Sequence, residues 1–190
     1  THNVDHCTRL CHASSVAALM ESIGSGAVSN PVRDCAHADL IVLIGANPAQ
    51  NHPVAARWIK NAVRPGARLV LADPRRTELA RHAWRTLAFK PGTDVALLNA
   101  LLHVIVGEGL VDEAFVAQRV HPGDLEALRA HLQAFSPEAM APVCGIDAAT
   151  LREVARAYAT APAAMIFWGM GVSQHAHGTD NARALIALAL

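Results

Sequence analysis

Leu40, Ile41, Val42, Leu43 and Ile44 form an unbroken apolar run that closes on Gly45. Five successive apolar side chains leave neither face of a strand for water. Such a run settles only between two covering layers, as the strands of a parallel sheet do. The pattern returns at 67–72, which ends at Asp73 and Pro74, and at 164–168, which runs into Gly169, Met170 and Gly171. A weaker version lies at 86–89. Helical periodicity fills the intervals between these runs. Alternating buried strands and helices imply right-handed crossovers, so the expected fold is α/β: a doubly wound, mostly parallel sheet with helices on both faces.

The helices are marked by their punctuation. Ser14 or Ser15 is placed to cap a helix that ends at Gly24 and Gly26. Pro53 opens another, with Val54, Ala55, Trp58, Ile59 and Val63 at helical spacing and Pro65–Gly66 as its stop. A short helix is predicted from Thr77 and a longer one from Asp94 to about Gly107. Residues 110–145 alternate short helical patterns, with Ser136 as a cap before Pro137, and are expected to form a small helical insert on one flank. Asp147 caps a helix to about Thr160, and the last begins near Thr179 or Asp180. The 190 residues suit one domain. Starting at Thr1 without a methionine and stopping inside a helical run, the chain is expected to be a piece of a larger subunit.

Composition excludes several roles. Basic and acidic residues balance at 16 each, which argues against nucleic acid or an anionic membrane as partner, since both select basic surfaces. No apolar run is long enough to span a bilayer. Four cysteines, Cys7, Cys11, Cys35 and Cys144, are too few for a disulfide scaffold; a reducing, cytoplasmic setting is expected, with a periplasmic one left open.

Ligands of doubly wound sheets bind beyond the carboxyl ends of the strands. Four loops fall there: Gly45, Asn47, Asn51 and His52 after the first strand; Asp73, Arg75 and Arg76 after the second; Pro91, Gly92 and Asp94 after the third; Gly169, Met170, Gly171 and Gln174 after the fourth. Small residues there let backbone approach a ligand. Asp73 stands where dinucleotide folds hold a ribose, Arg75 and Arg76 suit phosphate, and Asp94 suits two donors on one edge, such as guanine N1 and N2. The first loop reads Gly-x-Asn-Pro rather than Gly-x-Gly-x-x-Gly, which weakens NAD as the ligand. Plainer roles stand beside these: Asp73 as a turn residue, Asp94 as a helix cap, the arginines as a solvated pair. His103 reads as a core histidine, Cys35 and Cys144 as buried, and His37, His82, His121 and His131 as surface positions.

His2, His6, Cys7, Cys11 and His12 crowd the first dozen residues. A thiolate serves as nucleophile or metal ligand, and an adjacent imidazole moves protons near neutral pH. The spacing leaves three readings open: a zinc site using Cys7 and Cys11, a single reactive or metal-bound thiol, or an ordinary structural role.

The continuous stretch Asn3, Val4, Asp5, His6, Cys7, Thr8, Arg9, Leu10, Cys11, His12 resembles the segment carrying the catalytic cysteine or selenocysteine in molybdenum- or tungsten-dependent formate dehydrogenases, within the molybdopterin oxidoreductase superfamily. The resemblance continues in order through residues 26–30, 44–48, Asn51–His52–Pro53, Asp73–Pro74–Arg75, 90–94, 97–100 and 168–174. It implies that Cys11 is the sulfur ligand of the metal and that His12 handles protons beside it. It also implies bis-molybdopterin guanine dinucleotide as the cofactor, with the four loops holding one dinucleotide and Asp94 facing guanine. Formate would be the substrate and carbon dioxide the product. Partners would be the remaining domains of the same subunit and iron–sulfur, NAD- or quinone-linked electron-transfer subunits. An iron–sulfur domain is expected before Thr1 and a substrate-orienting arginine beyond Leu190, so the 190 residues alone are expected to be inactive. Another molybdopterin enzyme such as nitrate reductase, or a non-catalytic nucleotide-binding module, is the alternative.

Overall fold

The computed structural model describes residues 1–190. Along the chain run α1 (Thr8–Cys11), α2 (Ala13–Ile23), β1 (Leu40–Ile44), α3 (Pro48–Asn51), α4 (Pro53–Val63), β2 (Arg68–Ala72), β3 (Arg85–Leu87), α5 (Asp94–Gly107), α6 (Glu113–Arg119), α7 (Asp124–Leu132), α8 (Pro137–Cys144), α9 (Ala148–Ala159), β4 (Ala164–Trp168), α10 (Met170–Ser173) and α11 (Gly178–Ala189). Single 3₁₀ turns occupy Val32–His37 and Glu78–His82. No helix is long and apolar enough to cross a membrane.

The four strands lie in the order β3-β2-β1-β4, all parallel, with Val42 opposite both Val70 and Ile166. All five residues of β1 are buried, because side-chain alternation feeds two cores at once. Leu40, Val42 and Ile44 join Val70, Ala72 and Leu87 beneath α5, α9 and α11. Ile41 and Leu43 join Leu69 and Leu71 on the opposite face, under Cys35 and the Ala56, Ile59 and Ala62 face of α4. The expected doubly wound sheet, with helices on both faces, is therefore present. Helix α5 packs against α7, α8, α9 and α11, so polar positions along it are few. A third, small cluster of Ala18, Leu19, Ala182 and Ile186 joins α2 to α11 beside Trp168.

Several local expectations are corrected. On α4 the sheet selects Ala56, Ile59 and Ala62, while Val54 and Trp58 are 72% and 41% exposed; alanines allow the helix to approach more closely than the bulkier stripe would. Neither Ser14 nor Ser15 caps α2, whose N-cap is His12. Ser15 lies inside the helix, buried, and accepts a hydrogen bond from Trp168 Nε1 at 2.8 Å. Asp94 is the first residue of α5 rather than its cap; Thr93 holds that position. The third strand is Arg85–Leu87, starting one residue before the expected 86–89 and ending two residues before it. Ser136 and Asp147 do cap their helices, accepting from the Ala139 and Thr150 amides.

Candidate active site at the strand ends

The loops after β1 and β4 touch through glycine. Gly45 has φ +57, and its carbonyl accepts the Gly171 amide at 2.9 Å. A Cβ on Gly171 would lie 2.6 Å from the Gly45 oxygen, and one on Gly45 would lie 2.8 Å from the Gly171 carbonyl carbon. Gly169 is similarly close to Ala46. Only residues without side chains permit this crossing.

Between the β1 and β2 loops opens a cavity of about 380 Å³, lined by Asn47, Gln50, Arg75, Thr77, Glu78 and Arg81 among others. Gln50 Nε2 donates to Glu78 Oε1 at 2.6 Å. Glu78's own backbone amide, followed by Gln50 and Asn47, holds its carboxyl below the ordinary glutamate range. Asp73 is buried and uses Oδ1 to accept the Arg75 amide at 2.8 Å, so the turn role is real. The Arg75 guanidinium approaches the same oxygen at 3.9 Å but is otherwise solvated.

Asp94 is 2% exposed, and its Oδ1 has no hydrogen-bond partner. Burial pushes its carboxyl above the usual aspartate range, against the smaller opposing pulls of its own backbone amide and of His175. Asn47 Oδ1 and Thr77 Oγ1 are likewise buried without partners. Such orphans cost free energy in a finished protein, about 1–3 kcal/mol each. Three of them sit at the ends of β1, β2 and β3, where an incoming polar ligand would satisfy them. That pattern, with the glycine crossing, fits a nucleotide-bearing group.

Cys11 closes α1, half-buried, with Sγ 3.3 Å from Nε2 of His12. Its carbonyl oxygen accepts from Ser173 Oγ at 3.4 Å and Gln174 Nε2 at 3.5 Å. The thiol segment is thereby tied to the β4 loop. The other metal-capable residues do not converge on it. His2, His6 and Cys7 are exposed, and His6 Nδ1 is taken by the Thr8 hydroxyl at 2.7 Å. Nowhere do three His, Cys, Asp or Glu side chains gather as a metal cage, so the zinc reading of Cys7 and Cys11 lacks its ligands.

Other predicted positions are less engaged. Asn51, His52, Pro91 and Gly92 are exposed, and so is Met170. Cys35 and Cys144 are fully buried; burial, then Asp34, raises the Cys35 thiol. His103 is half-buried on α5 and bonds the Leu132 carbonyl at 2.8 Å. Thr77, read from the sequence only as a helix start, and Ser173, within the fourth loop but given no role of its own, are further site residues. Both follow a buried strand closely enough for position alone to have flagged them.

The sequence model of the family "Molybdopterin oxidoreductase" matches residues 1–190. The chain belongs to the molybdopterin oxidoreductase family. Formate dehydrogenase H of Escherichia coli (strain K12) is 43% identical over all 190 residues, which cover 26% of that protein. The F420-dependent formate dehydrogenase subunit alpha of Methanocaldococcus jannaschii is 40% identical over the whole chain and 28% of its own length. A periplasmic nitrate reductase of Desulfovibrio desulfuricans is 35% identical over 187 residues, 94% of the chain and 25% of that protein. Among solved structures, acetylene hydratase from Pelobacter acetylenicus superposes with a TM-score of 0.85 at 27% identity, covering 95% of this chain and 24% of that one. The chain thus spans about a quarter of the length of these relatives. As a molybdopterin oxidoreductase it implies a molybdopterin-type cofactor with its metal, and the orphaned polar atoms described above are where such a group would find partners.

Proposed function

We propose that this chain is one α/β domain, with a helical insert at 110–145, of the catalytic subunit of a molybdenum- or tungsten-dependent formate dehydrogenase. The observation that carries the reading is the Cys11–His12 pair, 3.3 Å apart and tied through Ser173 and Gln174 to a glycine-lined strand-end cleft. Formate dehydrogenases from a bacterium and an archaeon at 43% and 40% identity support formate as the substrate.

In this reading the strand ends bind the guanine dinucleotide half of one molybdopterin. The Asp94 carboxylate accepts donors of the guanine edge. Asn47, Thr77 and Asp73 bond ribose hydroxyls, and Arg75 meets diphosphate. Gly45, Gly92, Gly169 and Gly171 keep backbone close to the ligand, while Asn51, His52, Pro91, Met170 and Gln174 border it. When bound, the cofactor's metal supplies the two-electron acceptor, with the Cys11 sulfur as a ligand. Formate gives up one proton and two electrons and leaves as carbon dioxide. His12, half-buried beside Cys11, takes the proton at Nε2 and passes it to water. An iron–sulfur cluster in another part of the subunit, followed by iron–sulfur, NAD- or quinone-linked subunits, would supply the exit for the electrons. Four free thiols agree with a reducing, cytoplasmic setting.

The nitrate reductase among the relatives supports a second reading, in which the same scaffold serves nitrate reduction. Assaying the full-length subunit with a viologen dye separates the two. Formate-dependent dye reduction without nitrate-dependent dye oxidation is expected; the reverse pattern would transfer the assignment to nitrate. No turnover of either substrate by a subunit loaded with metal and pterin would leave only a nucleotide-binding module.

A further inference from the structure

On the sheet face away from α5, a second cavity of about 550 Å³ opens between α4 and the turn Glu78–His82. Six side chains line it: Arg57, Lys60, Asn61 and Arg64 from α4 and its C-cap, and Arg81 and His82 from the turn. None is a carboxylate and none is apolar. Residues 57, 60, 61 and 64 share one helical face, opposite the Ala56, Ile59 and Ala62 face that covers the sheet.

Seven of the 16 lysine and arginine side chains are held in ion pairs. Ten ion pairs engage Arg9, Arg75, Arg85, Arg129, Arg152, Arg156 and Arg183, but none of the four cations of this groove. In a chain of zero formal charge, four unpaired cations facing one concavity form a local field that attracts anions. Complementing the α4 dipole does not explain the cluster, because Arg57 lies in the first half of the helix and Arg81 on another element.

On the helical projection of α4, apolar positions fall beside Arg57 and Asn61. Trp58 and Val54, one helical turn apart on α4, are 41% and 72% exposed. Tryptophan and arginine together are the residues that concentrate binding energy in protein interfaces. Phosphate alone has no use for these apolar positions. Arg57 and Arg64 are separated by about 10 Å along the helix axis, a span that two or more carboxylates of an extended segment can match.

We propose that the α4–turn groove is a docking site for an acidic polypeptide segment, whose carboxylates pair with Arg57, Lys60, Arg64 and Arg81 while an apolar side chain rests on Trp58. The site is separate from Cys11, shares Arg81 with the strand-end cavity, and does not depend on the formate dehydrogenase reading.

The test is fluorescence anisotropy of a dye-labelled peptide, six glutamates followed by one leucine, titrated with the purified protein at low and physiological salt. Single reversals Arg57→Glu and Arg81→Glu are each expected to weaken binding at least about fivefold, and added salt to weaken it further. Arg119→Glu, an equal charge change on exposed α6, is expected to alter binding less than about twofold by the same screening argument. Trp58→Ala is expected to weaken the peptide while leaving inorganic tripolyphosphate competition unchanged. All these side chains are at least partly solvated, so unchanged circular dichroism will certify folding. Absence of peptide binding, or equal loss in Arg119→Glu, overturns the proposal. Tripolyphosphate binding that is tighter than the peptide's, with no effect of Trp58→Ala on the peptide, overturns it in favour of a phosphate ligand.

Discussion

The Gly171 amide donates to the Gly45 carbonyl at 2.9 Å, across two loops more than a hundred residues apart in sequence. Neither residue has room for a Cβ: at Gly171 it would lie 2.6 Å from the Gly45 oxygen. This contact sets the separation between the β1 loop, which carries Asn47, and the β4 loop, which holds the Cys11 carbonyl.

Gly171→Ala must push these loops apart. Overpacking of this kind costs about 1–3 kcal/mol, so the urea midpoint should fall. Gly107→Ala is the contrast, since its Cβ would meet nothing within 4 Å and alanine favours helix by up to about 1 kcal/mol. Equal midpoints for the two variants would contradict the close crossing.

Asp94 links stability to pH and ligand. Burial raises its pKa in the folded chain, so folding favours the protonated form. That contribution is fully present below the ordinary aspartate pKa of about 3.9 and is lost as pH rises through the raised value. At neutral pH the ionised carboxylate therefore opposes folding of the ligand-free chain. Asp94→Asn should raise the melting temperature at pH 7, with the gain shrinking on acidification. The same change should weaken binding of GDP, used as a fragment of the dinucleotide, by about tenfold to a hundredfold, the worth of a charge-assisted hydrogen bond. Calorimetric titration with GDP reads the second effect and a pH series of melting curves the first.

The Trp168–Ser15 hydrogen bond ties α2, and with it the cysteine segment, to the sheet edge. Trp168→Phe leaves the buried Ser15 hydroxyl unpaired, a loss of about 1–3 kcal/mol. Adding Ser15→Ala should recover part of that loss in a double-mutant cycle. Strictly additive losses would show that the bond contributes nothing.

Much of the scaffold is legible in the chain because β1, β2 and β4 are apolar on both faces, a pattern that tolerates few folds. What stays hidden in the chain depends on distance in sequence. The burial of Ser15 requires Trp168, 153 residues away, and nothing local announces it. On α4 the bulkier Val54 and Trp58 advertise a core face, yet close approach to the sheet selects alanines. The density of His and Cys in the first dozen residues leaves a zinc site open beside a single reactive thiol and a structural role. His6 binds Thr8 at the start of α1, and only Cys11 and His12 are brought beside the β4 loop. Asn47, Asp73 and Asp94 are legible from their strand-end positions alone, because the topology of a parallel sheet dictates where loops converge.

In the proposed reading the Cys11 sulfur serves the metal, and the strand-end loops hold the dinucleotide independently of it. Cys11→Ser in the full-length subunit tests both parts at once, by formate-dependent dye reduction alongside the guanine dinucleotide content of the same sample. Activity should fall by at least about a thousandfold, the scale on which loss of a group central to the chemistry is felt, with dinucleotide content unchanged. Formate oxidation retained near the parent rate would contradict the account.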